Sequence, residues 1–170
     1  IMEHAYQTCK NFVQNFGRTS DNIFLYGDVG VGKTFLSNCI ARDLIDAGYS
    51  VLYYSAPNLF NILAQGTFDH NDYESKQMQQ YVYDCDLLIV DDLGTELANA
   101  FTASQFFTCI NERLLNMKST VVSTNLSLDS LADLYTERSF SRITSNYILL
   151  RLFGDDIRII KKIRANREGK

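Results

Sequence analysis

The segment Gly27-Asp28-Val29-Gly30-Val31-Gly32-Lys33-Thr34 satisfies the pattern G-x-x-x-x-G-K-[ST] at every required position. That pattern works only between a buried strand and a helix, so it constrains the fold around it. Both flanks are legible. Ile23-Phe24-Leu25-Tyr26 is an apolar run of strand length, and Phe35, Leu36, Cys39, Ile40 and Leu44 follow at helical spacing. Glycines at 27, 30 and 32 let the backbone turn its N–H groups inward onto phosphate oxygens, helped by the positive end of the next helix. In such a loop Lys33 reaches the β- and γ-phosphates and the Thr34 hydroxyl binds Mg²⁺. A chance glycine-rich turn is the alternative. With strand, loop and helix in register, the expectation is a nucleoside triphosphate site built from Gly27 through Thr34, with Phe35 beside it.

A chain of 170 residues is expected to form one domain with a proper core. No apolar run approaches the roughly 20 residues a membrane-spanning helix needs, and no signal peptide is visible. Four cysteines, at 9, 39, 85 and 109, show no metal-ligand spacing and read as free buried thiols of a cytoplasmic protein. The net charge of −4 argues against a uniformly basic nucleic-acid surface but leaves room for a local one. Arg158, Lys161, Lys162, Arg164, Arg167 and Lys170 face a single acid, Glu168, near the end of the chain. A solvated helix with cations at its negative end accounts for that run as well. Ile1 has no Met before it, which suggests a fragment of a longer protein.

Strand and helix signals alternate along the chain. Residues 3–16 carry apolar positions at helical spacing, with Gly17 as the stop. Val51–Tyr54 reads as a second strand, followed by a short helix from Pro57 to Leu63. Residues 66–76 read as a loop or a frayed helical insertion, and 73–83 as a further helix. Leu87–Val90 is a third strand. Thr102 with Gln105 suggests a capping box opening a helix through Leu114. Thr120–Ser123 is a fourth strand, two short helices cover about 128–134 and 137–145, and Tyr147–Leu150 is a fifth strand. The alternation predicts an α/β fold, a five-stranded parallel sheet with helices on both faces.

The third strand ends in Asp91-Asp92, 57 residues beyond Thr34. Asp91 at the tip of a buried strand is placed to hold Mg²⁺, and Asp92 to polarise an attacking water. Two acids merely capping a strand are the plainer explanation. Asn125, after the fourth strand, could orient the same water or simply serve a turn. Arg138 and Arg142 are four residues apart and share one helix face. A guanidinium of that kind stabilises charge on a transferring phosphoryl group, even across a subunit boundary, whereas Glu137 offers a surface ion pair instead.

The strings GDVGVGKTFLSNCIA, LLIVDDLGTE, VVSTNLS, ERSFSRI and FGDDIR together resemble the AAA+ ATPases. Within them they resemble the bacterial replicative helicase loaders of the DnaC/DnaI type and the related transposition helper ATPases, over about residues 22–160. The resemblance implies a P-loop NTPase fold of AAA+ type, with ATP and Mg²⁺ as cofactors. It makes Gly27–Thr34 the Walker A loop, Asp91-Asp92 Walker B and Asn125 sensor 1. Arg142 is then the arginine finger, with Arg138 a second candidate, and Arg158 the sensor 2 arginine. Family members usually carry Glu where this chain has Asp92, and Glu96 is close enough in sequence to assist. Residues 1–170 are expected to be one AAA+ ATP-binding domain without the N-terminal helicase-binding region. The implied partners are a replicative DNA helicase, single-stranded DNA and further copies of the chain, joined through the ATP site. Phe68, His70, Tyr73, Lys76 and the stretch 95–101 lie where DNA contacts are expected. The alternatives are a transposase helper, a P-loop small-molecule kinase, or a binding module that hardly hydrolyses ATP.

Overall fold

The computed structural model describes residues 1–68, 72–159 and 162. Its elements run α1 (Met2–Asn15), β1 (Ile23–Gly27), α2 (Lys33–Asp46), β2 (Val51–Ser55), α3 (Ala56–Phe68) and α4 (Tyr73–Asp84). Next come β3 (Leu87–Leu93), α5 (Ala100–Leu115), β4 (Ser119–Thr124), α6 (Leu128–Asn146) and β5 (Ile148–Leu152). The strands form one parallel sheet in the order β2-β3-β4-β1-β5.

Both faces of that sheet are covered, which is why the central strands β3 and β4 are buried almost throughout rather than on alternate residues. Successive strand residues point to opposite faces. Ile23 and Leu25 join Leu87, Ile89 and Val121 in a core closed by Ala5, Cys9 and Phe12 of α1 and Leu36, Ile40 and Leu44 of α2. Phe24 joins Leu88, Val90 and Val122 in a second core, closed by α3, α4, α5 and α6. The connection leaving β1 runs to the far edge strand β2, whereas the one leaving β4 crosses to β5. These opposite directions open a crevice at the carboxyl ends of the strands, the place where α/β sheets hold ligands.

Three local expectations are corrected. The helix after β2 does not stop at Leu63 but continues to Phe68, and of the loop or frayed helical insertion expected at 66–76 the described residues follow the helical alternative apart from Asp72. The cause is Gly66, whose missing side chain lets α4 approach: a Cβ there would lie 2.6 Å from the Gln79 Cβ. Gln79 donates to the Leu63 carbonyl at 3.2 Å and to Thr67 Oγ1 at 3.1 Å, locking the helix pair. The cap of α5 is Asn99, not Thr102. Asn99 Oδ1 accepts the Thr102 N–H and the Thr102 hydroxyl accepts the Asn99 N–H, a capping box set three residues earlier. Cys39 is half-buried rather than buried. The two helices expected after β4 are both present within α6, separated by a kink at Thr136, where φ is 77°. The basic C-terminal run begins with a helical turn at 157–159, and Lys161, Arg164, Arg167, Glu168 and Lys170 lie outside the described residues.

Candidate nucleotide site

β1 delivers the chain into the crevice, and the glycines shape the loop beyond it. Gly27 has φ 128°, and a Cβ there would stand 1.9 Å from the Leu152 carbonyl oxygen of β5. Gly30 has φ 75°, and a Cβ there would enter the Asp156 carboxyl group. Another residue at Gly27 would have to move the β5 backbone, and one at Gly30 would displace the Asp156 side chain and hold a strained positive φ. Gly32 is the N-cap of α2, so the loop ends on that helix's N-terminal N–H groups.

Lys33 is only 5% exposed. Its Nζ donates to the carbonyls of Gly27 at 2.8 Å and Asp28 at 2.5 Å. An ammonium carries three donors, which leaves one for a phosphate oxygen. Burial holds the Lys33 ammonium below the usual lysine range, Asp92, Asp28 and Asp91 act in the opposite sense, and the Arg158 guanidinium adds to the lowering. These charges therefore surround one cation. Lys33→Ala is expected to weaken ATP binding by about 10- to 100-fold, the loss of a charge-assisted hydrogen bond. Calorimetric titration checks this, and unchanged affinity would remove Lys33 from the site.

Thr34 Oγ1 lies 3.3 Å from Asp91 Oδ1, so the loop and the end of β3 meet as the sequence spacing requires. Asp91 is 7% exposed and also accepts hydrogen bonds from Tyr53 at 2.8 Å and from Ser123. A hydroxyl beside a carboxylate is a hard, all-oxygen donor pair and fits Mg²⁺. Among the described residues no three His, Cys, Asp or Glu side chains gather into a metal cluster.

Asp92 is half-buried at φ 56°, its N–H on Ser123 Oγ at 3.1 Å and its carbonyl accepting from Thr95 Oγ1 at 2.8 Å. Its carboxylate makes no hydrogen bond among the described residues. Glu96 is different. Its Oε2 accepts the Gly94 N–H at 2.9 Å, and burial pushes its carboxyl above the usual range against the pull of the loop's N–H groups. It is folded back onto its own loop.

After β5 the chain straps across the phosphate loop. The Gly154 N–H donates to Asp28 Oδ2 at 3.3 Å and the Ile157 N–H to the Gly30 carbonyl at 3.1 Å. Asp156 Oδ1 accepts the Arg158 N–H at 2.8 Å. Arg158 is exposed on this strap. Val31 is buried, while Val29 and Phe35 are exposed on the rim.

Asn125 is exposed just beyond β4. Arg138 and Arg142 are exposed on α6 and line a cleft of about 530 Å³ with Phe107, Glu137 and Ser141, which includes no phosphate-loop residue. Among the described residues neither arginine is ion-paired, so the alternative pair with Glu137 does not form. Phe68 and Phe101 meet at 5.0 Å between ring centroids, and Phe68, Tyr73 and Leu97 are largely exposed. His70 lies outside the described residues. Tyr53 and Ser123 escaped the sequence reading, since their only signal is a hydroxyl within a strand.

The family described as IstB-like ATP binding protein matches residues 8–155. The chain belongs to that family. It is 28% identical over 155 residues to an insertion sequence IS21 putative ATP-binding protein of Pseudomonas aeruginosa, covering 88% of this chain and 57% of that protein. It is 28% identical over 134 residues to the replicative helicase loader DnaI of Bacillus subtilis, covering 77% of this chain and 42% of that protein. Among solved structures it resembles a replication initiator DnaA bound to AMPPCP and single-stranded DNA, with TM-score 0.77 and 26% identity, over 89% of this chain and 46% of that one. The chain thus spans about half the length of these relatives. It is an ATP-binding domain with the AAA+ P-loop fold, related to helicase loaders and IS21 ATP-binding proteins. No described helix is long and apolar enough to cross a membrane.

Proposed function

We propose that this domain binds and hydrolyses Mg²⁺-ATP in the cytoplasm as part of a replicative helicase loader, and that its nucleotide state governs its grip on single-stranded DNA and on the helicase. The observation that carries the reading is the 3.3 Å approach of Thr34 to Asp91, which joins a phosphate loop to a strand-end carboxylate. Lys33, Thr34 and the loop N–H groups hold the triphosphate. Mg²⁺, held by Thr34 and Asp91, would neutralise charge building on the phosphoryl oxygens. Asp92 accepts the proton of the attacking water, which Asn125 orients. Arg158 contacts the phosphates from the strap, and Arg142 or Arg138 serves the site of a neighbouring copy.

The Phe68–Phe101 pair, its rings tilted by 31° and Phe68 largely exposed, supports DNA binding, because every base presents a face to an aromatic ring. Phe68→Ala and Phe101→Ala are each expected to weaken binding of a labelled oligo(dT) about 5- to 150-fold, the range for losing one stacking contact. Fluorescence anisotropy measures it, and ATP turnover with and without the oligonucleotide tests whether DNA is coupled to hydrolysis. Unchanged DNA affinity in both variants would move the contact elsewhere. A second reading, an ATP-dependent helper of a transposase, is favoured by the IS21 relative of 28% identity over 88% of the chain. Co-purification of the full-length protein with the replicative helicase separates the two.

A further inference from the structure

Three hydroxyl groups from three elements converge on the Asp91 carboxylate. Tyr53 of β2 donates to Oδ2 at 2.8 Å. Ser123 of β4 donates to Oδ1, and Thr34 of α2 reaches the same oxygen at 3.3 Å. Among the described residues Asp91 has no ion-pair partner. Lys33 directs two of its three donors to loop carbonyls instead. A carboxylate only 7% exposed needs donors or a cation around it, and here the donors are hydroxyls. Ser123, fully buried, also accepts the Asp92 N–H at 3.1 Å. One hydroxyl therefore fixes both the carboxylate of Asp91 and the left-handed turn at Asp92, where φ is 56°.

We infer that Tyr53 and Ser123 are positioning residues of the magnesium site, holding the Asp91 carboxylate in the orientation that, with Thr34, presents preset oxygens to the cation. The inference rests on the Mg²⁺-ATP reading above. Thr34 belongs to the ligand set itself, whereas Tyr53 and Ser123 act through Asp91. They come from the two strands that flank β3, so the sheet order β2-β3-β4 builds the support into the fold. Partners of this kind around a metal ligand typically alter metal affinity 10- to 100-fold when removed.

The test is a titration of mant-ATP binding with Mg²⁺, in the full chain and in Tyr53→Phe and Ser123→Ala. Each substitution removes only a hydroxyl, and thermal unfolding verifies that the fold is kept. The Mg²⁺ concentration giving half of the full magnesium effect is expected to rise about tenfold or more in each variant, while affinity in EDTA stays within about twofold of the unmodified chain. Variants with an unchanged Mg²⁺ midpoint overturn the inference. So do variants that lose affinity equally with Mg²⁺ and with EDTA, since that marks a merely structural role. If the unmodified chain binds mant-ATP with no magnesium effect at all, the magnesium reading falls and this inference with it. A normal effect there, alongside unchanged variants, overturns this inference alone.

Discussion

Asp92→Asn is expected to leave ATP bound while turnover falls by about two to four orders of magnitude, the range for losing a general base. Asp92 follows the buried Asp91 on β3 with its backbone at φ 56°, and its charge favours the Lys33 ammonium of the phosphate loop. Asn tolerates the left-handed region as well as Asp does, so the substitution removes the basic oxygen without straining the turn. The backbone bonds to Ser123 and Thr95 do not involve the side chain and survive. Calorimetry for binding and phosphate release for turnover check the two halves separately. Glu96 is a poor substitute as it stands, because its carboxylate is engaged by the Gly94 N–H. Turnover that persists in Asp92→Asn would mean that Glu96 leaves that N–H and positions the water. Loss on combining Asp92→Asn with Glu96→Gln would establish it.

The sheet was legible in the sequence because its strands are buried on both faces, which makes Ile23–Tyr26, Leu87–Val90 and Thr120–Ser123 stand out as runs without helical spacing. The phosphate loop was legible for another reason. Its chemistry is local, carried by consecutive residues that any fold must present in the same way. The features that escaped depend on neighbours brought together from afar. Tyr53 meets Asp91 across 38 residues and Ser123 across 32, and neither contact exists until the strand order is known. Gly66 argued locally for a break, yet packing against Gln79 turned its small size into a reason to continue the helix. Thr102 and Gln105 matched the spacing of a capping box, but Asn99 satisfied the helix end first. In both cases a tertiary or near-neighbour contact overrode a valid local preference.

Arg142→Ala is expected to leave ATP affinity nearly intact while removing assembly-dependent turnover, by as much as about 10³- to 10⁵-fold if the arginine completes the site of a neighbouring copy. Arg142 lies on the exposed face of α6 in a cleft that contains no residue of its own phosphate loop. It has no ion-pair partner among the described residues, so nothing there holds its guanidinium to its own subunit. A donor that meets the γ-phosphate only across an interface contributes little to binding and much to the transition state. The decisive measurement mixes Arg142→Ala with Lys33→Ala subunits. At ATP concentrations too low to fill the weakened Lys33→Ala site each is expected to be inactive alone, but a mixed interface pairs an intact phosphate loop with an intact arginine and regains part of the activity. Arg138 lines the same cleft one helical turn away, and Arg138→Ala carried through the same mixing shows which guanidinium reaches the phosphate. If no ratio of Arg142→Ala to Lys33→Ala restores turnover under conditions where the unmodified chain assembles, Arg142 acts within its own subunit. Complementation by Arg138→Ala instead would then assign the role to Arg138.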